Sequence, residues 1–354
     1  MRPHQMAIAA ISLGTALIFS APAFADECSR QNWKACKGKP WVIGDTMETP
    51  IGDKWWPHPI WGEGDTAGST NWYTKPEVVL RGLAEADRGK VYSLGRQYDA
   101  EMPLFGTRSF AMMIPHRRGP FGANMLLSHQ EFVATNIGQV GTQFDGLAHI
   151  GVQIGEDHDE SRMRFYNGFT EQDIVAEGGI RKLGVENLHP IVGRGIMIDV
   201  AAAKGTDMLD RGYEITMADV REALDKQGMA DFTFENGDGV FFRTGWGQLW
   251  KKDNARFNSG APGIGMEVAL WLTDEVKVGV VGADTWPTEV VPNPDPACRF
   301  CVHQHLIVRH GIVNQENMDL DGLSEDRVYR FLYAYSPTPI AGATGSMGAP
   351  IAID

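Results

Sequence analysis

Apolar residues fall along this chain in two alternating patterns. Residues 195–200 (GIMIDV), 239–243 (GVFFR) and 277–281 (KVGVV) are short apolar runs beside glycines, the signature of buried strands. Residues 75–90 instead place Val78, Val79, Leu83 and Ala86 at helical spacing, with Thr74 set to cap the start and Gly89 to stop the end. The same spacing predicts helices over 217–227, capped by Thr216, and over 266–274. Strands alternating with helices predict a mixed α/β architecture. Residues 26–60 are rich in Trp, Pro, Gly and Lys without a sustained period, which reads as an ordered N-terminal arm. There is no internal repeat, and the 41 glycines and 19 prolines are spread through loops rather than gathered into a linker. One domain over 61–354, preceded by the aromatic arm, is the expected organisation.

The first residues have a different pattern. Arg2 precedes an apolar stretch of about 15 residues, short of the roughly 20 that span a bilayer. Ala23, Phe24 and Ala25 then form an A-x-A cleavage site. A secretory signal peptide over residues 1–25 is predicted, with the mature protein periplasmic or secreted and free of the membrane. Export gives Cys28, Cys36, Cys298 and Cys301 an oxidising setting that favours disulfides. Three pairings are open. The local one, Cys28 with Cys36 and Cys298 with Cys301, is the simplest, and a cross-link from the arm to the 298–301 loop is the rival.

Composition narrows the partner. The net charge of −13 and the lack of any dense Lys/Arg run argue against a nucleic-acid binder. With 43% hydrophobic and 22% charged residues the chain is an ordinary globular sequence. At this length it buries a large core without needing a metal to fold. A small molecule is the expected partner.

The densest polar cluster is QVGTQFDGLAH, residues 139–149. Gln139, Gln143, Asp145 and His149 lie close enough in a glycine-containing loop to converge on one point. A second cluster, His303, Gln304 and His305, precedes Glu316 in VNQEN.

GTQFDGLAH resembles the signature HxGTHxDxPxH of the cyclase superfamily, which contains bacterial kynurenine formamidases and isatin hydrolases. The resemblance extends over roughly 60–335, through Trp61-Gly62, DTAGSTN at 65–71, the strand from Arg194-Gly195 to Asp199, DGVFFRTGW at 238–246, Pro262-Gly263, VGADT at 281–285 and the segment 303–320. It implies a swivelling β/β/α fold, usually oligomeric, here a homodimer or higher homo-oligomer. It also implies one or two divalent metals held by motif histidines, the aspartate and a later His and Glu, with the last motif histidine as acid/base. Carried over, Asp145 takes the aspartate place, His149 the acid/base place and Glu316 the late glutamate place.

The departures are as informative. Gln139 and Gln143 stand where the family has ligand histidines, and Leu147 replaces the motif proline. Counting back from Glu316 by the usual spacing reaches Gln304, with His303 and His305 on either side. Carboxamide is a harder and weaker donor than imidazole, so strong zinc binding is disfavoured. Two readings follow. In one, Asp145, Glu316, a glutamine oxygen of Gln139 or Gln143 and His303 or His305 hold a divalent ion, Mn²⁺, Zn²⁺ or Mg²⁺. In the other, His149 and the carboxylates act without metal.

The expected activity is hydrolysis of a non-peptide C–N bond in a small cyclic amide or aryl formamide. A metal-independent lyase or cyclase and a non-catalytic periplasmic binding protein are the alternatives. Trp61 and Trp72 are expected to lid an aryl substrate, and Arg243 and Trp246, at a strand end, to face the pocket. For each of these, packing is the competing role.

Overall fold

The computed structural model describes residues 56–153, 163–296 and 298–354. The predicted signal peptide, most of the arm and the cysteines at 28 and 36 lie outside them. Helix α1 spans Pro76–Leu83, β1 Val91–Ser93, β2 Phe110–Phe121, β3 Leu126–Thr135, β4 Gln143–Asp145, β5 Ile191–Asp199, α2 Met217–Lys226 and β6 Gly239–Arg243. After these come α3 Met266–Trp271, β7 Val280–Ala283, the single turn α4 Cys301–His303, β8 Val313–Glu316, β9 Arg330–Tyr335, β10 Gly345–Met347 and β11 Ile351–Ile353. Nine of these strands form one mixed sheet in the order β1-β11-β9-β5-β6-β7-β8-β4-β10. The architecture is a single mixed α/β domain.

The middle of the sheet is parallel, β5 to β6 to β7 to β8. Both faces of such strands are covered, which is why their sequences are apolar without alternation. Ile196, Ile198, Val240, Phe242, Val281 and Ala283 face one core with α2 and α3, while Met197, Phe241 and Val280 face the other. Period-2 alternation thus survives as a choice between two cores. On both sides the order turns antiparallel, through β9, β11 and β1 on one and through β4 and β10 on the other. β4 pairs antiparallel with β8, and β10 with β4.

Several boundaries differ from expectation for physical reasons. α1 starts at Pro76 in the first-turn position where its missing N–H costs nothing, with Lys75 extended before it. The Thr74 hydroxyl donates to the Asn71 carbonyl instead of capping α1. The helix stops at Leu83 because the following residues are mostly polar and have no face to bury. The third strand begins at Val280 rather than 277, since Lys277 takes a left-handed φ of 52° to end the π-helical continuation of α3, Leu272–Val276. The α2 expectation holds, with Thr216 and Asp219 forming a reciprocal capping box. Strands β2 and β3, absent from the sequence reading, form a separate ribbon that, among the described residues, pairs only with itself. Among the described residues, no helix is long and apolar enough to cross a membrane.

Candidate acid–base and ligand site

The site is built on the seam where β4 meets β8. Asn314 lies opposite Asp145 and Glu316 opposite Gln143 in the register. Because side chains alternate, these four share one face of the pair, while Phe144 points into the apolar core. The strand sequences QFD and NQE therefore set a polar quartet on a buried surface. Gln315, on the reverse face, donates through Nε2 to the Gln143 carbonyl at 2.7 Å and locks the register. The loop entering β4 turns at Gly141, φ 64°, where a Cβ would lie 2.4 Å from the Tyr98 ring, so only glycine fits. Thr142 Oγ1 then donates to the Asn317 carbonyl at 2.9 Å.

Into this quartet α4 inserts His303. Asp145, His303 and Glu316 are all buried and bring one ligand atom each within 4.8 Å of one another. His303 Nε2 is 3.2 Å from Glu316 Oε1 and 3.8 Å from Asp145 Oδ2. Its other nitrogen, Nδ1, lies 2.5 Å from Glu289 Oε1. The Glu289 carboxylate also accepts from the Val302 and His303 amides, fixing both the turn and the ring. A disulfide between Cys298 and Cys301 closes the loop just before that turn. Of His303 and His305, it is His303 that converges. His305 is buried beside Thr273, with Nε2 3.0 Å from its hydroxyl oxygen, and its ring lies tilted against His310 at 4.6 Å.

Three carboxamides meet the two carboxylates. Gln143 Nε2 donates to Glu316 Oε2 at 2.6 Å, and Gln139 Nε2 to Asp145 Oδ1 at 2.9 Å. Asn314 Nδ2 donates to Glu316 Oε1 at 2.8 Å and to Asp145 Oδ2 at 3.4 Å, with Thr288 Oγ1 holding its carbonyl end. Arg108 donates to Gln139 Oε1 at 2.7 Å, which fixes which way that amide faces. Gln139 Nε2 is also 3.2 Å from His149 Nδ1. An amide N–H can only donate, so Nδ1 accepts and the neutral ring carries its proton on Nε2, 3.8 Å from Asp145 Oδ1.

The electrostatics separate the groups. Burial, and then the neighbouring Asp145 carboxylate, push Glu316 up to about 7. Burial alone would discharge His303, but its hydrogen bonds to Glu289 and Glu316 outweigh that and hold it well above the ordinary histidine value. His149 goes the other way: burial lowers its pKa, with Asp145 opposing and His303 and Arg108 adding to the lowering. His149 keeps 22% of its side chain accessible, against none for Asp145.

The structure therefore brings Gln139, Gln143, Asp145, His149, His303 and Glu316 together, and adds Glu289, Asn314 and Arg108, which the sequence reading did not single out. It gives the four expected substrate-binding residues other surroundings. Trp72 packs against Gly237, before β6, with Lys75 Nζ 4.1 Å from its ring and Trp61 edge-on at 4.9 Å. That is the start of the parallel strands, whereas the quartet's Glu316 closes β8. Arg243 is engaged by Asp199 and Asp321 at 3.1 and 2.8 Å. Trp246 is fully buried, its indole N–H given to the Phe257 carbonyl. Aromatic surface near His303 comes instead from Phe300, edge-on to it at 5.4 Å, then Trp286 and then Phe105, stacked on Trp286 at 4.3 Å.

A curled mixed sheet with a buried carboxylate–imidazole cluster where β4 meets β8 defines an α/β protein with a candidate acid–base and ligand site. The chain belongs to the cyclase family, described as "Putative cyclase", which matches residues 92–290. It is similar to the crystal structure of a novel cyclase at 29% identity, covering 83% of this chain and 96% of that one, with a TM-score of 0.71. It shares its fold with isatin hydrolase A from Ralstonia solanacearum (21% identity, 79% and 98% coverage, TM-score 0.52). The same is true of isatin hydrolase A from Labrenzia aggregata bound to benzyl benzoate (18%, 78% and 97%, 0.51). No curated protein matches the chain.

Proposed function

We propose that this protein is an exported hydrolase that opens a non-peptide C–N bond in a small cyclic amide or aryl formamide. The observation that carries this reading is the pairing of a neutral, partly accessible His149 with the buried Asp145 carboxylate, 3.8 Å away. Neutral imidazole can take the proton of an attacking water at Nδ1, releasing the Gln139 contact while Gln139 keeps its bond to Asp145. The imidazolium so formed lies beside a carboxylate that offsets its charge, and it returns the proton to the leaving nitrogen. The wall of Phe300, Trp286 and Phe105 supplies flat apolar surface for an aryl group. Sharing a fold with isatin hydrolases, whose named substrate is itself a cyclic aryl amide, is consistent with this substrate class.

A divalent ion fits the residues present. Asp145, His303 and Glu316 offer two oxygens and a nitrogen, and Gln143 Oε1 is buried without a hydrogen-bond partner. That oxygen-rich set suits Mn²⁺ or Mg²⁺ better than Zn²⁺. Bound there, the ion would polarise the carbonyl and lower the pKa of water. Glu289 would keep His303 oriented for it, as carboxylates do behind ligand histidines. A second reading, a lyase or cyclase that works without metal, is favoured by Asn314 Nδ2, which already bridges both carboxylates.

The test is His149→Ala assayed on isatin and on an N-formyl aryl amine. Turnover should fall by roughly 10²–10⁴-fold with the far-UV circular dichroism unchanged. Full retained activity would remove His149 from the chemistry. Elemental analysis of protein purified without chelators divides the two readings: stoichiometric metal supports the hydrolase form, and metal-free active protein supports the other.

A further inference from the structure

We infer that Cys298, Cys301 and Glu289 form a second ligand site, closed while the disulfide stands and open to a thiophilic divalent ion such as zinc when it is reduced. The two sulfurs and one Glu289 carboxylate oxygen all lie within 4.8 Å of one another. Glu289 and Cys301 are buried and Cys298 is half-buried, so the group sits under the surface with Cys298 at its accessible edge. Two cysteines three positions apart are the spacing from which one edge of a tetrahedral zinc site is commonly built. Glu289 adds a charged oxygen from another part of the chain. Three protein ligands leave the fourth position to water, the pattern of an exchangeable site rather than a closed one.

Bonds other than S–S hold the loop in shape. Cys298 N donates to the Asp295 carbonyl at 3.0 Å, and Asp295 N to Asn293 Oδ1 at 2.9 Å. On the far side the Glu289 carboxylate accepts from the Val302 and His303 amides at 3.4 and 2.9 Å. Two features favour the thiolates that an ion needs. Asn293 Nδ2 donates toward Cys301 Sγ at 4.0 Å, and the cation Arg299 stands between the two cysteines in the sequence.

The exchange balances. A dithiol gives two electrons and two protons to the S–S bond, which breaks into two thiols while the dithiol closes to its own disulfide. The ion then displaces both thiol protons to solvent as two sulfur–metal bonds form. A thiolate pair suits zinc or cadmium, whereas Asp145, Glu316 and His303 suit harder ions, so the two sites sort ions by softness. Glu289 belongs to both neighbourhoods, since its Oε1 faces His303 Nδ1 at 2.5 Å. An ion on the cysteines therefore competes for the carboxylate that orients His303.

Cadmium is the probe, because a cadmium–thiolate bond absorbs in the ultraviolet where oxygen and nitrogen ligands give no such band. The full mature chain, reduced with dithiothreitol and desalted under nitrogen, should gain that band with one more cadmium per chain than Cys298→Ser with Cys301→Ser treated alike. That comparison removes any contribution from Cys28 and Cys36. The oxidised chain should gain no band. Cys298→Ala, at the accessible edge, should weaken cadmium by roughly 100-fold or more, and Glu289→Gln by roughly 10-fold, because an amide brings an oxygen but no charge. Asp145→Asn should leave the band as it was, which separates this site from the one between β4 and β8. Four results would overturn the proposal: equal bands in the reduced wild type and the double serine variant, an affinity unmoved by both Cys298→Ala and Glu289→Gln, a band lost with Asp145→Asn, or a circular dichroism signal lost on reduction.

Discussion

The molecule contains two antiparallel strand pairs that break the ordinary rule of burial in opposite senses. The β4–β8 pair buries Asp145, Glu316, Gln143 and Asn314 where an apolar face would be cheaper. The β2–β3 pair exposes Met112, Met113, Phe121 and Leu127 where a polar face would be expected. In the first, each carboxylate is met by amide donors, so the desolvation cost is largely offset and the donor set is held in place. In the second, nothing within the described chain covers the apolar groups. The contrast is one of compensation: the buried polar groups are matched by donors inside the fold, while the exposed apolar ones are left uncovered by the described residues.

The comparison can be broken with one residue type. Phe144, on the reverse of the site strand, is fully buried, and Phe144→Ala should cost about 3–5 kcal/mol in urea unfolding. Phe132→Ala on the β2–β3 ribbon, half exposed in the chain, should cost no more than about 0.5 kcal/mol. Equal costs at both positions would mean that the ribbon is part of the domain's own core.

Much of the site was legible because four of its residues come from one stretch, Gln139 to His149, where a turn at Gly141 and a three-residue strand do the converging. Glu316 was legible through family resemblance, and His303 only as one of two candidates, since nothing local distinguishes it from His305. Glu289 was not legible: it reaches His303 only because the chain folds back to set its carboxylate under the amides of α4. Asn314 sits in a segment already noted, but its role depends on β4 crossing to β8, a non-local pairing that three- and four-residue strands are too short to announce. The parallel strands were read well, since burial on both faces leaves a continuous apolar run. The β2–β3 ribbon was missed because apolar residues on both faces erase the alternation that marks a strand. At Arg243 and Trp246, of the two roles the sequence left open, packing is the one that the contacts of the fold favour. A polar or aromatic residue at a strand end is often claimed by packing, here by Asp199, Asp321 and the Phe257 carbonyl.

Glu289→Gln tests how far the buried pair depends on support from outside it. The variant keeps the shape, but its single amide oxygen can accept from only one of the two α4 amides, and it loses the charge that faces His303 Nδ1 at 2.5 Å. Losses of this kind cost roughly 10–100-fold in ligand affinity or activity. The imidazole should also give up its raised pKa, visible by NMR as a titration shifted to lower pH. An unchanged His303 titration would show that Glu316 alone holds the ring.

The smallest effect concerns the accessible member of the site. His149 must be neutral to accept a proton, and burial holds its pKa below the ordinary value of about 6.5, so the acid limb of kcat/KM should lie below that pH. Arg108 contributes to the lowering as a nearby positive charge. Replacing it by Gln removes a charge that disfavours imidazolium, so the limb should move to higher pH, by less than about one unit. The β2–β3 ribbon supplies the control. Glu131→Gln alters one charge on an exposed strand, where water and salt screen it, and should leave the limb where it was. A shift to lower pH in Arg108→Gln would reverse the sign argued here, and an equal shift from Glu131→Gln would show that the acid–base centre feels the ribbon as strongly as its own buried neighbours.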